Sequence, residues 1–198
     1  MSDAPPDLVA LVGTRIAHDL ANPIGAIANG VELLALTGQD DSPELQLLAE
    51  SVANAAARIK AFRIAFGAAP PGQRVKAADI AALFPPGASG HRLAVDWQPE
   101  ADVPRGLAKL ALLGLMCLET AMPRGGEARV TAHGAGYRVT GSGPRLALPE
   151  GLRAALDGAP PADLAPAHVH FALLAGEARA QGRALHHEIG SAGISLAF

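Results

Sequence analysis

A histidine and an aspartate stand side by side in the segment Arg15–Leu34, whose sequence is RIAHDLANPIGAIANGVELL. The imidazole of His18 can attack an electrophilic phosphorus with one ring nitrogen, and Asp19 can orient that ring or accept a proton. Asn22 follows His18 by four residues, so on a helix its amide would lie on the same face, within reach of a water molecule or a phosphoryl oxygen. Residues of these types at this spacing could perform phosphoryl transfer, although a histidine next to an aspartate also occurs by chance.

Two apolar patterns predict that a helical hairpin carries these residues. In each pattern the apolar residues recur at steps of three and four, which makes one stripe on a helix. Gly38 is a plausible cap for the first helix, Ser42-Pro43-Glu44 is typical of the start of the second, and Gly67 should end it. The stripes are Val9, Val12, Ile16, Leu20, Ile27, Val31 and Leu34, then Leu45, Leu48, Val52, Ala55, Ile59, Phe62 and Phe66.

The first stripe also predicts where the side chain of His18 points. His18 is two residues from both Ile16 and Leu20, which is about 200° around a helix, so the imidazole should face solvent. Pro23 should bend the helix, because it removes one backbone hydrogen bond. Gly25 should keep this face thin enough for another protein to approach.

Two helices alone bury little apolar surface, so we expect the hairpin to pair with a second copy in a dimeric four-helix bundle. The alternative is that the hairpin packs only on the rest of its own chain. Beyond a Pro- and Gly-rich linker, strand-like and helical segments alternate, which predicts a two-layer α/β domain. The chain is therefore expected to be an α+β protein with a hairpin at 1–67, a linker at 68–74 and an α/β domain at 75–198.

The predicted segments after the linker are a strand at His91–Trp97, a buried helix at Pro104–Met122, a hairpin of Glu127–His133 with Gly136–Thr140, helices at Glu150–Leu156 and Pro166–Gln181, and a hairpin of Ala184–Ile189 with Gly193–Phe198.

Composition excludes several classes of function. The 198 residues carry a formal net charge of −3, and neither half has the basic excess of a nucleic-acid-binding protein. The single cysteine, Cys117, suits a reducing compartment and excludes a cysteine-built metal site. The first residues lack the pattern of a signal peptide, and Leu20–Val31 is too short to span a bilayer. We therefore expect a cytoplasmic protein without nucleic-acid or membrane partners.

The string HDLANPI at His18–Ile24 resembles the phosphoacceptor motif in the dimerisation and histidine-phosphotransfer domain of histidine kinases. In that family the motif runs histidine, acid, apolar residue, any residue, Thr or Asn, proline, apolar residue. Every position matches, although Ala21 stands where the family often has arginine. The resemblance implies that His18 is the residue that is phosphorylated.

The same resemblance implies that an ATP-binding α/β domain should follow, but its nucleotide-binding residues are absent. Met116 and Thr120 stand where the family has two magnesium- and phosphate-binding asparagines. The segment Thr140–Arg145 lacks the aspartate that binds adenine, and Ala165–His170 lacks the glycines of the phosphate-binding turn. The ATP lid is reduced to a few residues around Gly158–Pro161. We therefore expect that the domain does not bind ATP.

A phosphoacceptor hairpin joined to a degenerate ATP-binding domain resembles the ChpT-type histidine phosphotransferases. That family implies a phosphorelay in which His18 accepts a phosphoryl group from the receiver domain of a hybrid histidine kinase. His18 would then pass it to the aspartate of a response-regulator receiver. Magnesium would sit in the receiver, so no cofactor or metal is expected on this chain, and His168, His170, His186 and His187 are not expected to bind one.

The receiver should dock on the hairpin around His18, which an antiparallel hairpin would place near Ala61. Its basic side chains could complement an acidic receiver, although an ordinary solvated helix surface is the alternative. The predicted receiver-binding residues are Arg15, Ala21, Gly25, Arg58 and Arg63.

Other functions remain open at this point. The chain could be a true histidine kinase that uses ATP, or a non-catalytic kinase-like scaffold that binds receivers. Asn22 could also position a water molecule that dephosphorylates a receiver.

Overall fold

The computed structural model describes residues 8–37, 43–84, 92–190 and 193–198. The expected helix cap at Gly38, the helix start at Ser42 and the strand residue His91 lie outside this described part. The side chains of Ala21 and of a few other helical residues are likewise not described.

Two long helices, α1 (Leu8–Thr37) and α2 (Pro43–Ala65), form the predicted antiparallel hairpin. Pro23 lies inside α1. The helices approach closely at Gly30, where a Cβ atom would lie only 3.1 Å from Leu48 Cδ1. Counting twelve residues from this pair along both helices places His18 level with Lys60, next to the Ala61 that the sequence predicted.

The remaining elements alternate as expected. They are β1 (Arg74–Val75), α3 (Ala77–Ala81), β2 (Leu93–Trp97), β3 (Val103–Pro104), α4 (Arg105–Ala121), β4 (Gly126–His133), β5 (Gly136–Ser142), α5 (Glu150–Leu156), a 3₁₀ turn (Pro166–His168), α6 (Val169–Ala180), β6 (His186–Gly190) and β7 (Gly193–Ala197).

The sheet has five strands in the order β2-β4-β5-β7-β6. Strand β2 pairs with β4 in parallel, with Leu93 opposite Gly126, because the chain crosses over through α4 between them. The other pairs in this sheet are antiparallel. A separate two-stranded ladder joins β1 to β3. Neither this ladder nor α3 was predicted, since strands of two residues and a helix of five residues are too short to show a periodic pattern.

Helix α4 lies at the centre of the core, as its apolar sequence predicted. Leu110 and Leu113 are fully buried, and Gly114 lets the helix approach the sheet, where a Cβ atom would meet Val139 at 3.3 Å. The end of α2 joins the same core through Ile64 and Ala65. The hairpin is thus packed on the α/β part rather than separated from it.

One predicted helix is divided. The segment expected to be helical over Pro166–Gln181 begins as the 3₁₀ turn, and α6 follows. The division falls at His168, whose φ of −117° and ψ of 5° are not α-helical.

The α+β fold class is confirmed. Its dimeric bundle and the expected domain boundaries stay predictions. Within the described residues, no helix is long and apolar enough to cross a membrane.

Candidate functional site

The side chain of His18 points away from the chain, and 77% of it is exposed. Its Nδ1 atom lies 3.3 Å from Oδ1 of Asp19. A carboxylate only accepts hydrogen bonds, so this contact requires the proton on Nδ1. The Nε2 atom is then left with a lone pair that is open to solvent, as a nucleophile toward phosphorus requires.

Asp19 differs from His18 in burial, with only 12% of its side chain exposed. Its second oxygen, Oδ2, accepts a hydrogen bond of 2.6 Å from Nε of Arg15, one turn earlier on α1. The Arg15 side chain is 16% exposed, and its Nη1 atom donates to the carbonyl oxygen of Ala167 in the 3₁₀ turn. A continuous series of polar contacts therefore runs from the 3₁₀ turn through Arg15 and Asp19 to His18.

Asn22 and Gly25 lie on the exposed surface of α1 beyond His18. Gly25 has open space around it, since a Cβ atom placed there would meet nothing within 4 Å. Ala21 belongs to the same helix, but its side chain lies outside the described part. This stretch of α1 is therefore open to solvent, and the approach of a partner protein at Gly25 stays a prediction.

The second helix contributes two of the predicted basic residues. Arg58 is partly buried and lines a small cavity of about 70 Å³ between the hairpin and α4, together with Arg15, Asp19 and Ala61. Arg63 lies five residues later and is exposed. Of the predicted docking residues, Arg15 is thus turned toward the interior of the chain, whereas Arg63 and Gly25 face solvent.

A buried hydrogen bond joins α4 to α6. Thr120 Oγ1 lies 3.1 Å from Nε2 of His170, whose side chain is fully buried. Burial lowers the pKa of His170 well below its ordinary value, and the nearby charges of Arg15 and His168 lower it further. The ring is consequently neutral at physiological pH.

From the sequence, His168 and His170 were not expected to bind a metal ion. In the described residues no group of three His, Cys, Asp or Glu side chains is arranged to hold a metal ion. The role of His170 as an interior hydrogen-bonding residue was missed, and so was the contact of Arg15 with Ala167. The spacing of Arg15 and Asp19, four residues apart on one helix, was the one local signal of an ion pair.

Comparison with known proteins gives concordant results. The model of the histidine phosphotransferase C-terminal domain matches residues 77–193. Protein phosphotransferase ChpT of Brucella abortus (strain 2308) is 33% identical over 168 residues, which are 82% of this chain and 80% of that protein.

Two solved structures are also similar to this chain. The 1.7 Å structure of a bacterial phosphotransferase has a TM-score of 0.76 and 28% identity, covering 100% of this chain and 98% of that one. The Acinetobacter baumannii histidine kinase AdeS has a TM-score of 0.46 and 10% identity, covering 91% of this chain and 95% of that one.

The matched domain, together with an exposed histidine on a helical hairpin, defines a phosphotransferase of two-component signalling. The chain belongs to the family of ChpT-type histidine phosphotransferases. Receiver domains are the general class of partner that this role implies.

Proposed function

We propose that this chain is a phosphorelay intermediate that carries the phosphoryl group on His18. It accepts the group from the aspartyl phosphate of a hybrid-kinase receiver and delivers it to the aspartate of a response-regulator receiver. The observation that carries the proposal is the exposed His18 ring, whose Nδ1 atom is bonded to the carboxylate of Asp19.

The chemistry needs positioning and charge neutralisation rather than a strong base. The lone pair of His18 Nε2 attacks the phosphorus in line with the bond to the receiver aspartate. That P–O bond breaks, and its electron pair leaves on the receiver carboxylate. The ring becomes positively charged as the N–P bond forms, and the Asp19 carboxylate beside Nδ1 offsets that charge. Transfer to the second receiver is the same sequence of events in reverse.

The proposal includes no ATP-binding step. Residues at the family's nucleotide-binding positions make contacts within the chain instead. Thr120 is hydrogen-bonded to His170, and the 3₁₀ turn accepts a hydrogen bond from Arg15. The open concavity of about 1110 Å³ lies across the strands, and none of its lining residues belongs to α4, the 3₁₀ turn or α6. These features favour transfer between proteins over use of a nucleotide.

No cofactor of this chain's own is needed for the reaction. Magnesium is assigned to the acidic pocket of the partner receiver, where it would neutralise the phosphoryl oxygens. On this chain, Asn22 is the residue closest in sequence to His18 that offers an amide to a phosphoryl oxygen or a water molecule.

The receiver is proposed to dock over the exposed part of the hairpin around His18. Gly25 allows close approach, and the exposed Arg63 offers a positive charge to an acidic receiver. Arg58 and Ala21 are included in this docking surface on the basis of their position along the two helices. Arg15 lies behind the surface, so its contribution to docking competes with the intramolecular role argued below.

A homodimer is the second part of the proposal. Both hairpin helices expose large apolar side chains, which soluble surfaces rarely collect in one place. Pairing with a second copy would bury them in a four-helix bundle. These residues are Val9, Ile24, Val31, Leu33, Leu45, Leu47, Val52 and Ile59, with 38% to 84% of each exposed. A cytoplasmic location, expected from the sequence, is retained as a prediction.

A two-donor labelling experiment tests the proposed function. The full chain is incubated either with labelled ATP and Mg²⁺ or with a receiver that carries a labelled aspartyl phosphate. We expect label on the chain from the receiver alone, and its onward passage when a second receiver is added. Label from ATP would instead identify a histidine kinase. Receiver binding without any label would identify a non-catalytic scaffold.

A further inference from the structure

We propose that Arg15 is a positioning residue of the phosphotransfer site, which holds Asp19 against His18 by bridging the Asp19 carboxylate and the Ala167 carbonyl. This inference rests on the proposed role of His18. It adds a function for the C-terminal part of the chain, because Ala167 is supplied from there. Through this bridge, a segment 152 residues away helps to select the nitrogen of His18 that reacts.

The two contacts of Arg15 use different nitrogens of one rigid guanidinium group. Nε donates to Asp19 Oδ2 at 2.6 Å, and Nη1 donates to Ala167 O. A guanidinium has a planar fork of donors, so fixing one end on the backbone also fixes the direction in which the other end points. The carboxylate of Asp19 is therefore held by a group that is itself anchored.

Burial separates this pair from an ordinary ion pair on a helix surface. The exposed fractions are 16% for Arg15 and 12% for Asp19, against 77% for the adjacent His18. Exposed pairs four residues apart lose most of their strength to solvent and to side-chain motion. Here both partners lie beneath the surface, so the geometry of the pair is retained while the imidazole remains accessible.

Each oxygen of Asp19 consequently has one assigned partner. Oδ2 is bonded to Arg15, which leaves Oδ1 directed at His18 Nδ1, 3.3 Å away. An exposed ring with no such partner would be free to carry its proton on either nitrogen. With Asp19 held in place, the proton stays on Nδ1 and the lone pair stays on Nε2.

The chemical step needs no proton from Arg15, which acts only as a hydrogen-bond donor. The Nε2 lone pair forms the bond to phosphorus, and the electrons of the broken P–O bond leave with the receiver carboxylate. The Nδ1 proton remains in its bond to Asp19. Arg15 thus touches no reacting atom and acts only through Asp19.

A positioning role for Arg15 predicts a different experimental result from direct contact between Arg15 and a receiver. A docking residue matters only when the phosphoryl donor is a protein that must be bound. A residue that sets the tautomer of His18 matters equally for a small donor such as phosphoramidate. The size of the donor therefore separates the two interpretations.

The test compares the variants Arg15→Gln and Arg15→Lys with the unchanged chain, and uses Arg153→Gln, an exposed arginine on α5, as the matched control. Imidazole ¹⁵N NMR of the unphosphorylated full chain measures the fraction of His18 that is protonated on Nδ1. We expect Arg15→Gln to lower this fraction. We also expect it to slow phosphorylation by roughly 10- to 100-fold with both phosphoramidate and a phosphorylated receiver.

Lysine supplies the charge but not the fork, so Arg15→Lys should lie between Arg15→Gln and the unchanged chain in both measurements. If thermal unfolding shows that Arg15→Gln does not fold, Arg15→Lys alone tests the role of Arg15. The control Arg153→Gln should match the unchanged chain. A slower reaction with the receiver alone, or an unaltered tautomer in Arg15→Lys and Arg15→Gln, would overturn the inference. If the unchanged chain accepts no phosphoryl group, the proposed function fails, while the NMR measurement still decides the role of Arg15.

Discussion

Thr120 and His170 form a hydrogen bond of 3.1 Å between α4 and α6, in a part of the interior where His170 is fully buried. The two residues are 50 positions apart in the sequence, so the bond joins two helices that are distant along the chain. This buried bond has a measurable consequence for stability.

The first prediction concerns the dependence of stability on pH. Burial lowers the pKa of His170 below that of the unfolded chain, and burial with the nearby Arg15 does the same for His168. The unfolded state therefore binds more protons, and stability falls as pH falls below about 6.5, by up to about 1.4 kcal/mol per pH unit for the fully buried His170 and by less for the partly exposed His168. Denaturant titrations at pH 7.5 and 5.5 measure this difference.

The variant His170→Gln keeps a hydrogen-bonding group near Thr120 but has no ring to titrate. We expect it to reduce the difference in unfolding free energy between the two pH values. His186→Gln, at an exposed position on β6, serves as the control and should leave the difference unchanged. An identical pH dependence in His170→Gln and the unchanged chain would contradict the assignment.

The second prediction concerns Asn22 and the loss of phosphate from a receiver. If its amide positions a water molecule, Asn22→Ala should slow the hydrolysis of the receiver phosphate about tenfold, which corresponds to one hydrogen bond of about 1.4 kcal/mol. Transfer to His18 should change much less. Asn29, exposed seven residues further along α1, is the matched control because seven residues return to nearly the same helical face.

Hydrolysis is followed as the release of inorganic phosphate, and transfer is followed as label on the chain. Equal slowing of both in Asn22→Ala would show that Asn22 serves the transfer itself and not a water molecule. An effect of the same size in Asn29→Ala would remove any special role for Asn22.

The third prediction concerns the proposed dimer. The Val52 side chain is 50% exposed on α2, within the apolar surface of the hairpin. A carboxylate buried in a dimer interface is costly, so Val52→Glu should shift the chain to a monomer. Light scattering coupled to size-exclusion chromatography measures the mass. Ala94→Glu, at an exposed position on β2, should remain dimeric. A monomeric unchanged chain, or a dimeric Val52→Glu, would contradict the proposal.

Periodicity in the sequence was sufficient to predict the long helices. The steps of three and four residues predicted both hairpin helices, and the 200° offset from Ile16 and Leu20 predicted the exposure of His18. Local patterns of this kind depend only on residues within a few turns of one another. The sequence therefore also predicted the strands of the five-stranded sheet and the main helices between them.

The contacts that shape the site could not be predicted from the sequence, because they join residues that are far apart along the chain. Arg15 meets Ala167 only because α1 docks on the 3₁₀ turn, and no local pattern encodes a contact across 152 residues. The bond of Thr120 to His170 likewise depends on how α4 packs against α6. As a result, the sequence predicted that Arg15 contacts a partner protein, whereas in the structure its side chain is largely buried and contacts Asp19 and Ala167.

The most direct test of the central claim is to locate the phosphate on the chain. The full chain is incubated with a phosphorylated receiver and digested at alkaline pH, and the phosphorylated peptide is identified by mass spectrometry. We predict one acid-labile phosphoryl group, located on His18. The control variant His186→Ala should still carry it, and the variant His18→Ala should not. Phosphate on another residue, or undiminished labelling of His18→Ala, would contradict the account.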